Sequence, residues 1–178
     1  MSFAKPLLPQ GAELPAPVSR FKVNASLLAA LAVTLLPWAD GVRWLIPDFT
    51  LIVILYWCIH APRLCGLGSA FSLGLLTDVA TGVLLGLNAL AYCAAAFVVL
   101  LLQRRLQGFP PPEQALQLMP ILFAKQALVL TIGLAVSRGD TDWRYLAGGL
   151  LTALLWLPVS LLLNRLCGRP DQPVQTQT

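Results

Sequence analysis

Apolar residues along the chain gather into six runs, Val23 to Trp38, Leu45 to Ala61, Leu67 to Leu85, Ala89 to Leu102, Leu118 to Val136 and Tyr145 to Leu163. Short segments rich in Gly, Pro or charge separate them and mark the ends of helices. A helix needs roughly 20 mainly apolar residues to cross a bilayer, so the pattern predicts six transmembrane helices. The second and fourth runs barely reach about 30 Å at 1.5 Å per residue. A five-helix version, with one of these runs lying partly in the membrane interface, therefore stays open.

Composition sharpens this picture. Of 178 residues 57% are hydrophobic and only 11% charged, with a mean hydropathy of +0.75. Such a chain is too apolar for an ordinary soluble domain, and it leaves no length for a separate catalytic domain beside its spans. Residues 1–22, with Pro6, Pro9, Pro15 and Pro17, cannot bury a core and read as a flexible arm. The membrane domain then occupies 23–166 and a polar tail 167–178. The first run begins too late and is too long for a signal peptide, and Leu36-Pro37-Trp38-Ala39-Asp40 offers no small-x-small cleavage site.

The formal net charge of +4 matters through its distribution. On alternate loops, Lys5, Arg20, Lys22, Arg63, Arg104, Arg105, Arg165 and Arg169 fall on one side, and Arg43, Arg138 and Arg144 on the other. Short cytoplasmic loops retain positive charge, so both termini are expected in the cytoplasm. Trp38, Trp44 and Trp143 fall at the outer boundary, where amphipathic rings prefer to sit. The basic excess sets orientation and gives no reason to invoke nucleic acid.

Candidate chemistry is sparse. Cys58, Cys65, Cys93 and Cys167 are scattered without a C-x-x-C spacing, and the sole histidine, His60, stands beside Pro62 at an inner helix end, where it reads as an interfacial ring. No catalytic, cofactor or metal residues are assigned. Arg104-Arg105 with Pro110-Pro111-Pro112 reads as a rigid basic loop near anionic lipid or a docking surface for a cytoplasmic partner.

The third run carries the most information. Every fourth residue gives Gly66, Ala70, Gly74, Asp78, Gly82 and Gly86, a ridge of small residues interrupted by one carboxylate. Small residues at this spacing let helices approach closely, and Gly82-x-x-x-Gly86 is the local form of that motif. The ridge is expected to pack on the slim fourth helix, and a partner's helix is a second candidate. A lipid-facing Asp at the depth of Asp78 costs about 2.5–3.5 kcal/mol, so Asp78 is expected to accept hydrogen bonds that lock helices together. Lys125, about six residues into the fifth run, is expected to snorkel to the cytoplasmic headgroups in preference to pairing with Asp78. Asp48, Asn88, Asp140 and Asp142 could line a polar pocket near the outer face, or could simply be solvated helix ends.

Three blocks carry a resemblance: Leu36-Pro37-Trp38, Pro47-Asp48-Phe49-x-Leu51 through Tyr56-Trp57, and Asp78-x-x-x-Gly82-x-x-x-Gly86. With them the chain, from about Val23 to about Arg165, resembles the MreD family of bacterial rod shape-determining membrane proteins. The resemblance implies a compact all-α bundle of six transmembrane helices, similar to the substrate-binding subunit of energy-coupling-factor transporters. It implies a non-enzymatic scaffold of the cell-wall elongation complex in the inner membrane. Its partners would be MreC, MreB, and RodA with its class B penicillin-binding transpeptidase, and a homo-oligomer is compatible with it. Pro47, Asp48, Tyr56, Trp57, Asp78, Gly82 and Gly86 occupy the family's motif positions, and Gly74 joins them as a helix-packing candidate. The transporter-like fold leaves a small-molecule binding subunit, of vitamin type, as the alternative function.

Overall fold

The computed structural model of the chain describes residues 19–36, 47–136 and 145–167. Six helices follow in order: α1 (Arg20–Thr34), α2 (Phe49–His60), α3 (Leu67–Thr81), α4 (Leu87–Leu106), α5 (Pro111–Val136) and α6 (Tyr145–Cys167). Trp38, Trp44, Trp143, Arg43, Arg138, Arg144, Asp140 and Asp142 lie outside the described residues, as do Lys5 and Arg169.

Local chemistry explains the boundaries and corrects several expected ones. The Asp48 carboxylate accepts from the Leu51 N–H at 3.0 Å and so starts α2 at Phe49, later than the apolar run suggested. Pro62 disfavours helical backbone at Ala61, which sits at φ −144° and closes the helix. The third helix ends at Thr81, because Gly82 turns left-handed at φ 66°. Gly86 is also left-handed, at φ 96°, immediately before α4. Gly82 and Gly86 are thus turn residues, and the expected Gly82-x-x-x-Gly86 packing face does not exist. The periodicity misled there because apolar Val83, Leu84 and Leu85 continue the pattern through a turn. At the other end α4 runs on through Arg104 and Arg105, and α5 starts at Pro111 instead of Leu118. Pro111 and Pro112 open its first turn, where an N–H would have no helical acceptor, and Glu113 suits the positive end of the helix dipole. The expected rigid proline loop is therefore mostly helix.

α2 is the centre of the molecule. Its residues from Thr50 to Ile59 are all buried, with α1, α3, α4 and α6 around it. A helix apolar on every side belongs inside a bundle, and at about 18 Å it does not need to span a membrane by itself. α4, α5 and α6 are each long and apolar enough to cross one, through Leu87–Leu106, Pro111–Leu134 and Gly148–Leu166.

Hydrogen bonds at the helix ends set the directions. Lys22 Nζ donates to the Leu166 carbonyl, Trp57 Nε1 to Ser26 Oγ, and Gln107 Nε2 to the Ile59 carbonyl. These join the start of α1 to the ends of α2, α4 and α6. At the opposite end the Thr50 amide and hydroxyl both reach Thr34 Oγ1, and the Asp48 N–H donates to Thr152 Oγ1. Successive helices therefore alternate in direction. Arg20, Lys22, Arg63, Arg104, Arg105 and Arg165 follow from that geometry to one end, the basic end.

Candidate functional site

Polar groups inside the bundle converge in two places at the end opposite the basic one. The first is built on Asp78, which is fully buried on the last turn of α3. Its Oδ2 accepts from the N–H groups of Gly86 at 2.9 Å and Ala89 at 3.2 Å, and its Oδ1 from that of Asn88 at 2.9 Å. These amides open α4 and have no helical acceptor of their own. One carboxylate thus caps the neighbouring helix from across the hairpin, at the end where the dipole favours negative charge. The two left-handed glycines make the connection tight enough to bring those amides to Asp78.

Gly74, one turn earlier in α3, permits the approach. A Cβ there would lie 2.5 Å from Ala89 Cα and 2.7 Å from its nitrogen, both backbone atoms that cannot give way. Gly74→Val is accordingly expected to force α3 and α4 apart and to cost about 1–3 kcal/mol, as overpacking does. A lowered melting temperature in mild detergent would register it. Gly86→Ala tests the turn instead, because no atom lies within 4 Å of the added methyl and only the left-handed backbone objects. Its expected cost is about 1–2 kcal/mol, read in the same melt.

The second place is built on Asp48. Lys125 Nζ lies 2.9 Å from Asp48 Oδ2, with the two side chains 9% and 15% exposed. Tyr92 OH donates to the same carboxylate, at 2.8 Å from Oδ1 and 2.7 Å from Oδ2, and the Lys125 ammonium stands 5.5 Å from the centre of the Tyr92 ring. Thr152 Oγ1 accepts from the Asp48 N–H and donates its own hydrogen bond to the Gly148 carbonyl. Three helices, α2, α4 and α5, therefore meet at one carboxylate, and α6 holds the same residue through its backbone N–H. Tyr92 lies one turn after the Ala89 amide that Asp78 holds, so the first two turns of α4 connect both carboxylates.

Sequence reasoning erred on Lys125. It belongs to Asp48 and neither snorkels to the basic end nor pairs with Asp78. Because α5 begins at Pro111, Lys125 stands about 21 Å along the helix, far from the headgroups it was expected to reach. A lone cation inside an apolar run and the Pro-Pro-Glu start were the available signals. Asp48 is likewise no solvated helix end. Asn88 meets Asp78 through its backbone N–H. Tyr92 and Thr152 were missed, since a tyrosine and a threonine in apolar helices carry no signal of their own.

Pro47, Tyr56 and Trp57 take structural positions. The Pro47 carbonyl accepts the Phe49 N–H at the start of α2. Tyr56 OH donates to Asn164 Oδ1 of α6 at 2.6 Å, and Trp57 reaches Ser26 of α1 at 2.8 Å. Their rings meet edge to face at 5.1 Å, and Tyr56 stacks on His60 at 4.2 Å. The pair pins α2 to a helix on either side, nearer the basic end and away from both carboxylates. Trp57→Phe, which keeps the ring and removes the donor to Ser26, is expected to cost about 1 kcal/mol in a detergent melt.

These features define an all-helical membrane protein whose buried polar side chains bind its own helices to one another. A family model described as MreD, rod shape-determining protein MreD, matches residues 18–166, and the chain belongs to that family. It is 25% identical over 146 residues to the rod shape-determining protein MreD of Haemophilus influenzae strain Rd, an alignment that covers 82% of this chain and 90% of that protein. No solved structure matches the chain. Family membership makes the protein a rod-shape determinant, structural in role, of the membrane.

Proposed function

We propose that this protein is a six-crossing scaffold of the bacterial inner membrane that binds MreC and connects the peptidoglycan synthases, RodA and its class B transpeptidase, to MreB. The family match over residues 18–166 carries the reading. Alternating helix directions and the gathering of six cations at one end support six crossings with both termini in the cytoplasm. The polar interior supports a structural role, since the Asp48 and Asp78 carboxylates are engaged by the protein's own donors. The vitamin-type binding alternative would need the Asp48 carboxylate free to meet a ligand, and Leu51, Tyr92 and Lys125 already donate to it.

Depletion in the native rod-shaped host, with cell width followed by microscopy and the tagged protein captured from mild detergent, tests the proposal. Rounded cells and recovery of MreC with the RodA synthase are expected. Unchanged shape with a nucleotide-driven transport module in the capture would reject the scaffold.

A further inference from the structure

The six helices are not bound to one another in the same way. Within α1–α4 the contacts are close and mainly apolar: α2 is buried on every side, and Gly74 lies directly on the Ala89 backbone. The α5–α6 hairpin joins that unit differently. α5 fully buries only Gln114, Leu118 and Leu122, and most of its other described side chains are half-buried. Polar ties hold the hairpin at two levels: Lys125 and Thr152 to Asp48 midway along α5, and Gln114 to the Leu106 carbonyl and Asn164 to Tyr56 toward the basic end.

Two further features are confined to the hairpin. Among the described helices only α5 and α6 carry an interior proline, Pro120 and Pro158, each of which removes one helical hydrogen bond and makes a bend cheap. Trp156 of α6 is fully buried, yet its Nε1 has no acceptor among the described residues. A buried donor left unmade is a cost that the packed position of α6 carries. Apolar helix surfaces can exchange one another for lipid at little cost, whereas a separated ion pair in lipid cannot be compensated in that way. The weight of holding the hairpin closed therefore falls on the pair at Asp48.

The geometry points to a conformational latch: the α5–α6 hairpin is a moving unit that pivots near the α4–α5 connection at the basic end, and the Asp48–Lys125 ion pair, midway along α5, holds it shut against α2 and α4. Tyr92 of the fixed unit positions the carboxylate for the latch, and Thr152 of the hairpin holds the Asp48 backbone N–H. This inference stands on the packing alone and is independent of which partners the protein binds.

Electron-spin distance measurement on the full chain in lipid nanodiscs tests it. Cys93 and Cys167 are replaced by alanine, and labels are placed at the outward-facing positions Leu84 of the α3–α4 turn and Leu150 of α6. A second pair, Val79 and Leu101, reports on the α1–α4 unit alone. With the latch intact, the Leu84–Leu150 pair should give one narrow distance. Lys125→Met should add a longer component to it and leave Val79–Leu101 unchanged. Tyr92→Phe, which retains the ion pair, should produce a weaker shift in the same direction and covers the case in which Lys125→Met fails to fold. Unaltered Leu84–Leu150 distances in both Lys125→Met and Tyr92→Phe would overturn the latch. Equal broadening of both label pairs would overturn it too, since the bundle would then loosen as one body.

Discussion

Lys125→Met is expected to destabilise the protein by about 3–5 kcal/mol, the usual cost of removing one partner from a buried ion pair. The loss comes from what is left behind. Asp48 would be left beside α2 with only the Tyr92 hydroxyl and the Leu51 amide as partners. Methionine nearly preserves the volume and apolar stem of lysine, so packing contributes little to the change. A melt of the purified protein in mild detergent measures it, and the Asp48→Asn/Lys125→Met double variant provides the control. Removing both charges should recover most of the loss, because a neutral amide beside Tyr92 leaves no unpaired ion. If the single and double variants melt alike, the ion pair is not what holds this region. In cells the single variant should fail to restore rod shape to a depleted strain, by way of lowered abundance.

Asp78→Ala comes next, with an expected loss of at least about 3 kcal/mol. Three backbone donors, buried at Ala89 and half-buried at Gly86 and Asn88, lose their acceptor together, and an unsatisfied buried group costs about 1–3 kcal/mol before the structure relaxes. Asp78→Asn should recover only part of this, since one amide oxygen replaces two carboxylate oxygens and its NH2 group faces N–H donors. Amide hydrogen exchange separates this effect from a general loosening. Protection should fall first at Asn88 and Ala89, at the start of α4, while the Thr50–Ile59 stretch of α2 keeps its slow exchange. Simultaneous loss in both helices would mean that Asp78 acts on the whole bundle, contrary to a local cap.

The two carboxylates differ in how far the chain alone disclosed them. Asp78 could be reasoned out because a charge at that depth has few options: lipid excludes it, so it must accept hydrogen bonds from protein. Its donors proved to be backbone amides, which no side-chain pattern announces. Asp48 was masked by its place at a helix start, where most acidic residues are solvated. Its partners come from positions 44, 77 and 104 residues away, a combination that only folding brings together.

Gly82 and Gly86 show the opposite error. At four-residue spacing in an apolar run they fit a packing ridge, but glycine serves equally for a left-handed turn, and spacing cannot separate the two uses. Gly74 has the same spacing and is the one that does pack, because it faces Ala89. The choice depends on where the helix ends.

The sequence by itself determined that the chain is a membrane protein of six helices, since the free energy of transferring apolar runs and isolated charges depends mainly on local composition. The positive end followed from the same local reasoning. Only the tertiary structure decided that α2 is the central helix, that α5 begins at Pro111 and carries Lys125 to Asp48, and that Asp78 caps α4. Those outcomes depend on which neighbours meet across the bundle. Close packing and hydrogen bonding act over a few ångströms between residues distant in the chain, and a pattern along one dimension does not record that distance.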